Sequence, residues 1–73
     1  MRDKIPKRSL EVLKFACLTN PEIAKKLGIS RVTVATHFEI IRGVFGGKTK
    51  AELLIRALKQ GCINLEDVVL DPP

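Results

Sequence analysis

Seventy-three residues provide for one domain with a modest core, and a chain this short needs tight helix packing, a partner or a disulfide to be stable. Lysine and arginine outnumber aspartate and glutamate by 13 to 8, and the excess is concentrated: residues 1–50 carry 11 basic and 4 acidic groups, residues 51–73 carry 2 and 4. A basic body suits a polyanionic partner, although an ordinary solvated basic surface has the same composition. No apolar run approaches the ~20 residues of a membrane span, and the first residues lack the apolar stretch of a signal peptide, so the chain is expected to be cytoplasmic.

The first helix is expected over about 6–18. Pro6 suits a first helical position, where its missing N–H costs nothing. Leu10, Leu13 and Cys17, flanked by Val12 and Ala16, recur at three-to-four spacing and form an apolar stripe. Thr19-Asn20-Pro21-Glu22 then starts a second, short helix. Either Thr19 caps it and Glu22 reaches back in a capping box, or Asn20 is the cap and Pro21 the first helical residue. Ile23, Ala24 and Leu27 face inward, Lys25 and Lys26 outward, and Gly28 supplies a left-handed stop against which Ile29 packs back.

Ser30 caps a third helix over about 31–44. A short helix, a three-residue glycine turn and a longer helix make a helix-turn-helix. At 100° per residue, Val34, Phe38, Ile41 and Phe45 share a narrow core arc; Val32, Thr36, Glu39 and Gly43 lie opposite, with Ala35 and Ile40 on the flanks. In a major groove those outer residues would meet base edges, while Ser30, Arg31 and the first amides would sit near phosphates. Gly43 and Gly46-Gly47 are read as the stop of this helix.

Thr49-Lys50-Ala51-Glu52 forms a second capping box and opens a fourth helix over about 50–60, closed by Gly61. Ala51, Leu54, Ile55 and Leu58 are read as its core face. Leu53 and Ala57 lie off that face beside Arg56 and Gln60, and the four make a candidate self-association seam; two surface apolar residues of no consequence are the equal alternative. Asn64-Leu65-Glu66-Asp67 can cap one further turn before Asp71-Pro72-Pro73 ends it.

Cys17 and Cys62 are 45 positions apart and, with one histidine, complete no standard zinc pattern. Two buried free thiols are expected, a Cys17–Cys62 staple being the lesser alternative. Around His37 no Ser, Cys or carboxylate stands at a triad or metal-site spacing, so it is expected to pack against the fourth helix. With no paired carboxylates, no phosphate-cradling glycine loop and too little bulk for a large cleft, the chain reads as a binding domain, not an enzyme, without metal, cofactor or small-molecule substrate.

Glu11-Val12-Leu13-Lys14, Thr19-Asn20, Glu22-Ile23-Ala24, Leu27-Gly28-Ile29-Ser30, Thr33-Val34 and His37, continued by Gly46, Lys48 and Glu52, resemble the LuxR/FixJ-type helix-turn-helix signature. The resemblance covers residues 5 to about 61 and implies a tetrahelical all-α domain that binds inverted repeats of duplex DNA as a homodimer through its fourth helix, regulating transcription. By position it places Ala35, Thr36 and Glu39 at the DNA and Thr33 and Lys48 at phosphates. It departs from the family at Ala35 and Glu39, where lysine or arginine is usual, and in a loop two residues shorter after the first helix. The family's sensor or receiver domain is missing, so the chain reads as a stand-alone regulator or a fragment.

The expectation is therefore one domain over 1–73, with a core over about 5–61 and a tail over 62–73. It binds DNA through Ser30, Arg31, Val32, Thr33, Ala35, Thr36, Glu39 and Lys48 and pairs through Leu53, Arg56, Ala57 and Gln60. Glu39 either accepts from a cytosine amine or repels phosphates; Lys7, Arg8, Lys25, Lys26, Arg31, Arg42, Lys48 and Lys50 would supply the phosphate contacts. The alternative is a protein-interaction module on the same fold, binding a regulator or a polymerase subunit.

Overall fold

The computed structural model describes residues 5–70; the expected stop at residues 71–73 lies outside them. Four helices, α1 (Lys7–Leu13), α2 (Asn20–Leu27), α3 (Arg31–Phe45) and α4 (Lys50–Lys59), are followed by a short 3-10 turn at Leu65–Asp67. The domain is all-helical, as the periodicity requires, with no strand among the described residues.

The long α3 is the axis of the packing: α1, α2 and α4 each lie against it, and α1 also touches α4. Its buried side chains are Val34, Phe38, Ile41 and Phe45, the arc expected from the sequence. Around them pack Val12, Leu13, Ile23, Ala24, Leu53, Leu54 and Ala57, so aliphatic side chains fill the core that two phenylalanines anchor.

The structure corrects several boundaries. Pro6 is not the first helical residue but stands outside α1 in an extended conformation (ψ 146°), and its carbonyl accepts the first bond, from Leu10 N–H at 3.1 Å. α1 ends at Leu13, earlier than expected, and three tight turns follow, each an N–H bonded to the carbonyl three residues back. That tightening buries Ala16 and Leu18, two residues apart, where a continued helix would have separated them on its surface. It also turns Cys17 outward; both thiols are free, Cys17 is exposed and Cys62 half-buried, contrary to the pair of buried thiols expected.

Gly43 does not stop α3, which runs on to Phe45 because Phe45 completes the core arc; Gly46, with φ +76°, is the C-cap. Residues 62–70 are more than a tail. Ile63 is a core residue at 5 % exposure, Cys62 N–H bonds the Ala57 carbonyl at 2.9 Å, and Val69 N–H bonds the Lys14 carbonyl at 2.8 Å, which closes the chain back onto the end of α1.

The largest correction concerns α4. Leu53 and Ala57 are fully buried and Leu54 is largely buried beside them, whereas Ala51 and Ile55 face outward and Leu58 is half-buried. The inward face is rotated by roughly one residue, about 100°, from the expected one. Both stripes contain Leu54, and the one richer in aliphatic positions is not the one that meets α3. Leu53 and Ala57 are therefore unavailable as a seam between subunits; Arg56 and Gln60 remain outside.

Candidate nucleic-acid interface

The α2–α3 unit is built from caps. Thr19 opens α2 with a complete capping box: its hydroxyl accepts from Glu22 N–H at 3.3 Å, and the Glu22 carboxylate accepts from Thr19 N–H at 2.9 Å. Thr19, not Asn20, is thus the cap. Gly28 ends α2 at φ +67°, ψ 36°, a left-handed conformation that a side chain would strain. The Ala24 carbonyl takes both Gly28 N–H and Ile29 N–H, and Ser30 at once caps α3 by accepting from Thr33 N–H at 3.0 Å. Three residues therefore turn the chain between two capped helices, which fixes the angle at which α3 is presented.

The outer face of α3 is open. Arg31, Val32, Thr33, Ala35, Thr36 and Glu39 are all exposed, Val32 at 76 %, and Ser30 is exposed beside them. Ser30 and Thr33 share a hydroxyl–hydroxyl hydrogen bond of 2.8 Å, so one of their two hydroxyl protons stays available. The Thr36 hydroxyl donates to the Val32 carbonyl at 3.0 Å. Glu39 is not an isolated negative charge: Arg42, one turn on, donates to its Oε2.

Lys48, also assigned to the interface, does not join this cluster. It is exposed in the segment after α3, while Ser30 caps the other end and Arg31 is the first residue of the helix, which is about 22 Å long at 1.5 Å per residue. Its own N–H donates to the Glu52 carboxylate at 2.9 Å, which makes the second capping box half of one. Thr49 accepts from Glu52 N–H at 3.1 Å, but the Glu52 carboxylate returns to Lys48 instead of Thr49. The N–H donors at these caps hold both carboxylates below the usual range: Thr19 N–H first for Glu22, Lys48 N–H first for Glu52.

Three of the expected cationic contacts are engaged within the protein. Lys50 Nζ donates to the Leu18 carbonyl at 2.6 Å and to Asn20 Oδ1 at 3.0 Å, and lies 5.3 Å from the centre of the Phe38 ring. Partial burial lowers its pKa. Arg8 pairs with Glu11 and reaches the Leu27 carbonyl at 3.3 Å, and Arg42 holds Glu39. On α4, Arg56 pairs with Glu52 and donates to the Phe45 carbonyl at 3.1 Å, closing the end of α3. Lys7, Lys25, Lys26, Arg31 and Lys48 form no ion pair among the described residues and carry exposed positive charge.

His37 is held by a residue that sequence spacing could not supply. Its Nδ1 lies 2.8 Å from Ser9 Oγ, a hydrogen-bond partner on α1. Ser9 is fully buried, so no substrate reaches its oxygen, and the pair joins α1 to α3.

A family model for ECF sigma factors matches residues 2–52, more than half of the chain. The chain belongs to the ECF sigma factor family. The matched stretch is a helix-turn-helix of the sigma-70 region 4 kind, a DNA-binding unit of transcription. No curated protein and no solved structure gives a significant match.

ECF membership differs from the LuxR/FixJ-type resemblance, and the geometry explains how the one suggested the other. Thr19, Glu22, Gly28 and Ser30 make caps and the turn, Ile23, Ala24 and Val34 make core, and Leu27 and Ile29 pack against it. These positions define how two helices meet at a short turn, a requirement of the motif and not of one family. In this ECF sigma factor domain the match ends at Glu52, before the buried side chains of α4 begin.

Proposed function

We propose that this domain binds duplex DNA in transcription by laying α3 in the major groove, with Val32, Ala35, Thr36 and Glu39 toward base edges and Arg31, Lys25 and Lys26 toward phosphates. The observation that carries the reading is the outer face of α3: exposed along its length, with Glu39 as its acidic residue, already neutralised by Arg42, and exposed cations beside it. Ser30, Thr33 and the first amides of α3 add donors at the end where the helix dipole favours an anion.

RNA polymerase is the protein partner that the family name supplies, and exposed apolar side chains support a protein contact: Ile55 at 54 %, Leu65 at 75 % and Leu70 at 71 %. The partner reading thus complements DNA binding instead of replacing it, and both place the chain's work in the cytoplasm. A homodimer of the LuxR/FixJ type forms no part of the proposal, because two of its four seam residues are interior. Nor does catalysis, because the Ser9 hydroxyl of the Ser–His pair is fully buried.

The test is fluorescence anisotropy of the purified chain with random-sequence duplex DNA across a salt series. Binding whose logarithm falls linearly with the logarithm of salt supports the proposal; absence of binding at low salt rejects it.

A further inference from the structure

The outer arc of α3 carries an unusual chemistry for a base-reading surface. Its centre is Val32, Thr36, Glu39 and Gly43, with Ala35 on the edge. The Thr36 hydroxyl proton is spent on the Val32 carbonyl, so Thr36 offers a methyl group and an acceptor oxygen but no donor. Arg31 and Arg42 stand on the flank nearer the core, roughly 100° from the arc's centre, and Arg42 is occupied by Glu39. The arc therefore has no donor for the O6 and N7 acceptors of guanine. What it presents is apolar surface from three side chains and one carboxylate, of which Arg42 engages Oε2 and leaves Oε1.

Base edges complementary to that surface are few. In the major groove the thymine methyl is the apolar group, and the donors are the amines of cytosine and adenine. Adenine sets its N7 acceptor beside the amine, where it repels a carboxylate; cytosine has no such neighbour on its own ring. We infer that this domain selects pyrimidines, packing thymine methyls against Val32, Ala35 and Thr36 and taking a cytosine N4 amine on Glu39. The inference rests on the DNA docking proposed above. Val32 and Glu39 are seven residues apart, about 10 Å along the helix, so the thymines and the cytosine fall within about three base-pair steps. Arg42 is a positioning residue: it holds the carboxylate and offsets its charge near phosphates.

The test selects sites from a random duplex pool with the full chain and then alters DNA and protein separately. Replacing the selected thymines by uracil removes a methyl and leaves the protein untouched; each contacted methyl lost should weaken binding about fourfold. Glu39→Ala should lose about tenfold of the discrimination for cytosine at one position, with the other positions unchanged, and Glu39→Gln should retain part of it. A bound site that tolerates uracil, or a Glu39→Ala variant with its cytosine preference intact, overturns the inference and leaves the docking proposal standing. A wild-type chain that binds no DNA overturns both.

Discussion

The ammonium of Lys50, first residue of α4, donates to the carbonyl of Leu18 at 2.6 Å, across 32 positions of sequence. The same nitrogen reaches Asn20 Oδ1, so one side chain fastens the start of α4 to the start of α2 and covers the Phe38 ring between them. Composition counts Lys50 among the cations available to DNA; geometry makes it part of the fold.

Lys50→Met should therefore lower the free energy of unfolding by about 1–2 kcal/mol, the loss of a charge-assisted hydrogen bond discounted for partial exposure. Chemical denaturation measures it. The salt dependence of DNA binding should be unchanged at temperatures where the variant is folded. A reduced slope with unaltered stability would return Lys50 to the phosphate-contacting set.

Leu53→Ala and Ile55→Ala separate the two faces of α4. Leu53 is fully buried and Ile55 is about half exposed. The first substitution should cost about 2–5 kcal/mol through the cavity it leaves. The second should stay within about 0.5 kcal/mol, as for a surface position without a special role. Thermal melts followed by circular dichroism distinguish them; equal losses would contradict the placement of α4.

These two cases show where the sequence is legible. The arc of α3 could be read because Val34, Phe38, Ile41 and Phe45, with both phenylalanines of the helix, fall on one narrow stripe, while Val32 and Ile40 are too far from it to define a competing face. The caps at Thr19, Gly28 and Ser30 could be read because their partners are three or four residues away. α4 has two overlapping apolar stripes through Leu54, and local periodicity does not say which one meets α3. Lys50, Arg8 and Ser9 find partners 19 to 32 residues away, set by the packing of whole helices, and nothing in their local spacing signals it. The exposed residues of α3 opposite its core were legible as the complement of that core; Lys48 was placed with them by resemblance and lies beyond the far end of the helix.

Acid should act through the caps. Glu22 and Glu52 have pKa values in the folded state below their ordinary 4.5, each held there chiefly by a backbone N–H donor. Both bind protons more readily when unfolded, so their contribution to stability is fully present above pH 4.5 and is lost as pH falls through the folded-state values. Glu22→Gln keeps an acceptor for Thr19 N–H but cannot titrate. Its melting temperature should fall less steeply than wild type between pH 4.5 and lower pH. A variant with the wild-type acid slope would show that Glu22 does not carry this dependence.

Charge on opposite ends of α3 should act independently on DNA. Arg31 stands at the N-terminus of the helix, Lys48 lies beyond its C-terminus, and neither forms an ion pair among the described residues. If each meets a separate phosphate, Arg31→Ala and Lys48→Ala should each reduce the slope of log affinity against log salt by about 0.9, and the double variant by about 1.8. The affinity losses should add, because the helix length of about 22 Å exceeds the range over which substitutions couple. Anisotropy titrations of the four proteins on one duplex measure the slopes. A loss confined to Arg31→Ala would mean that DNA contacts stop short of the C-terminal end of α3, so that the helix enters the groove N-terminus first and tilts away from it beyond Glu39. Equal losses from both would mean that α3 lies along the groove and that Gly43 approaches the bases as closely as Val32 does.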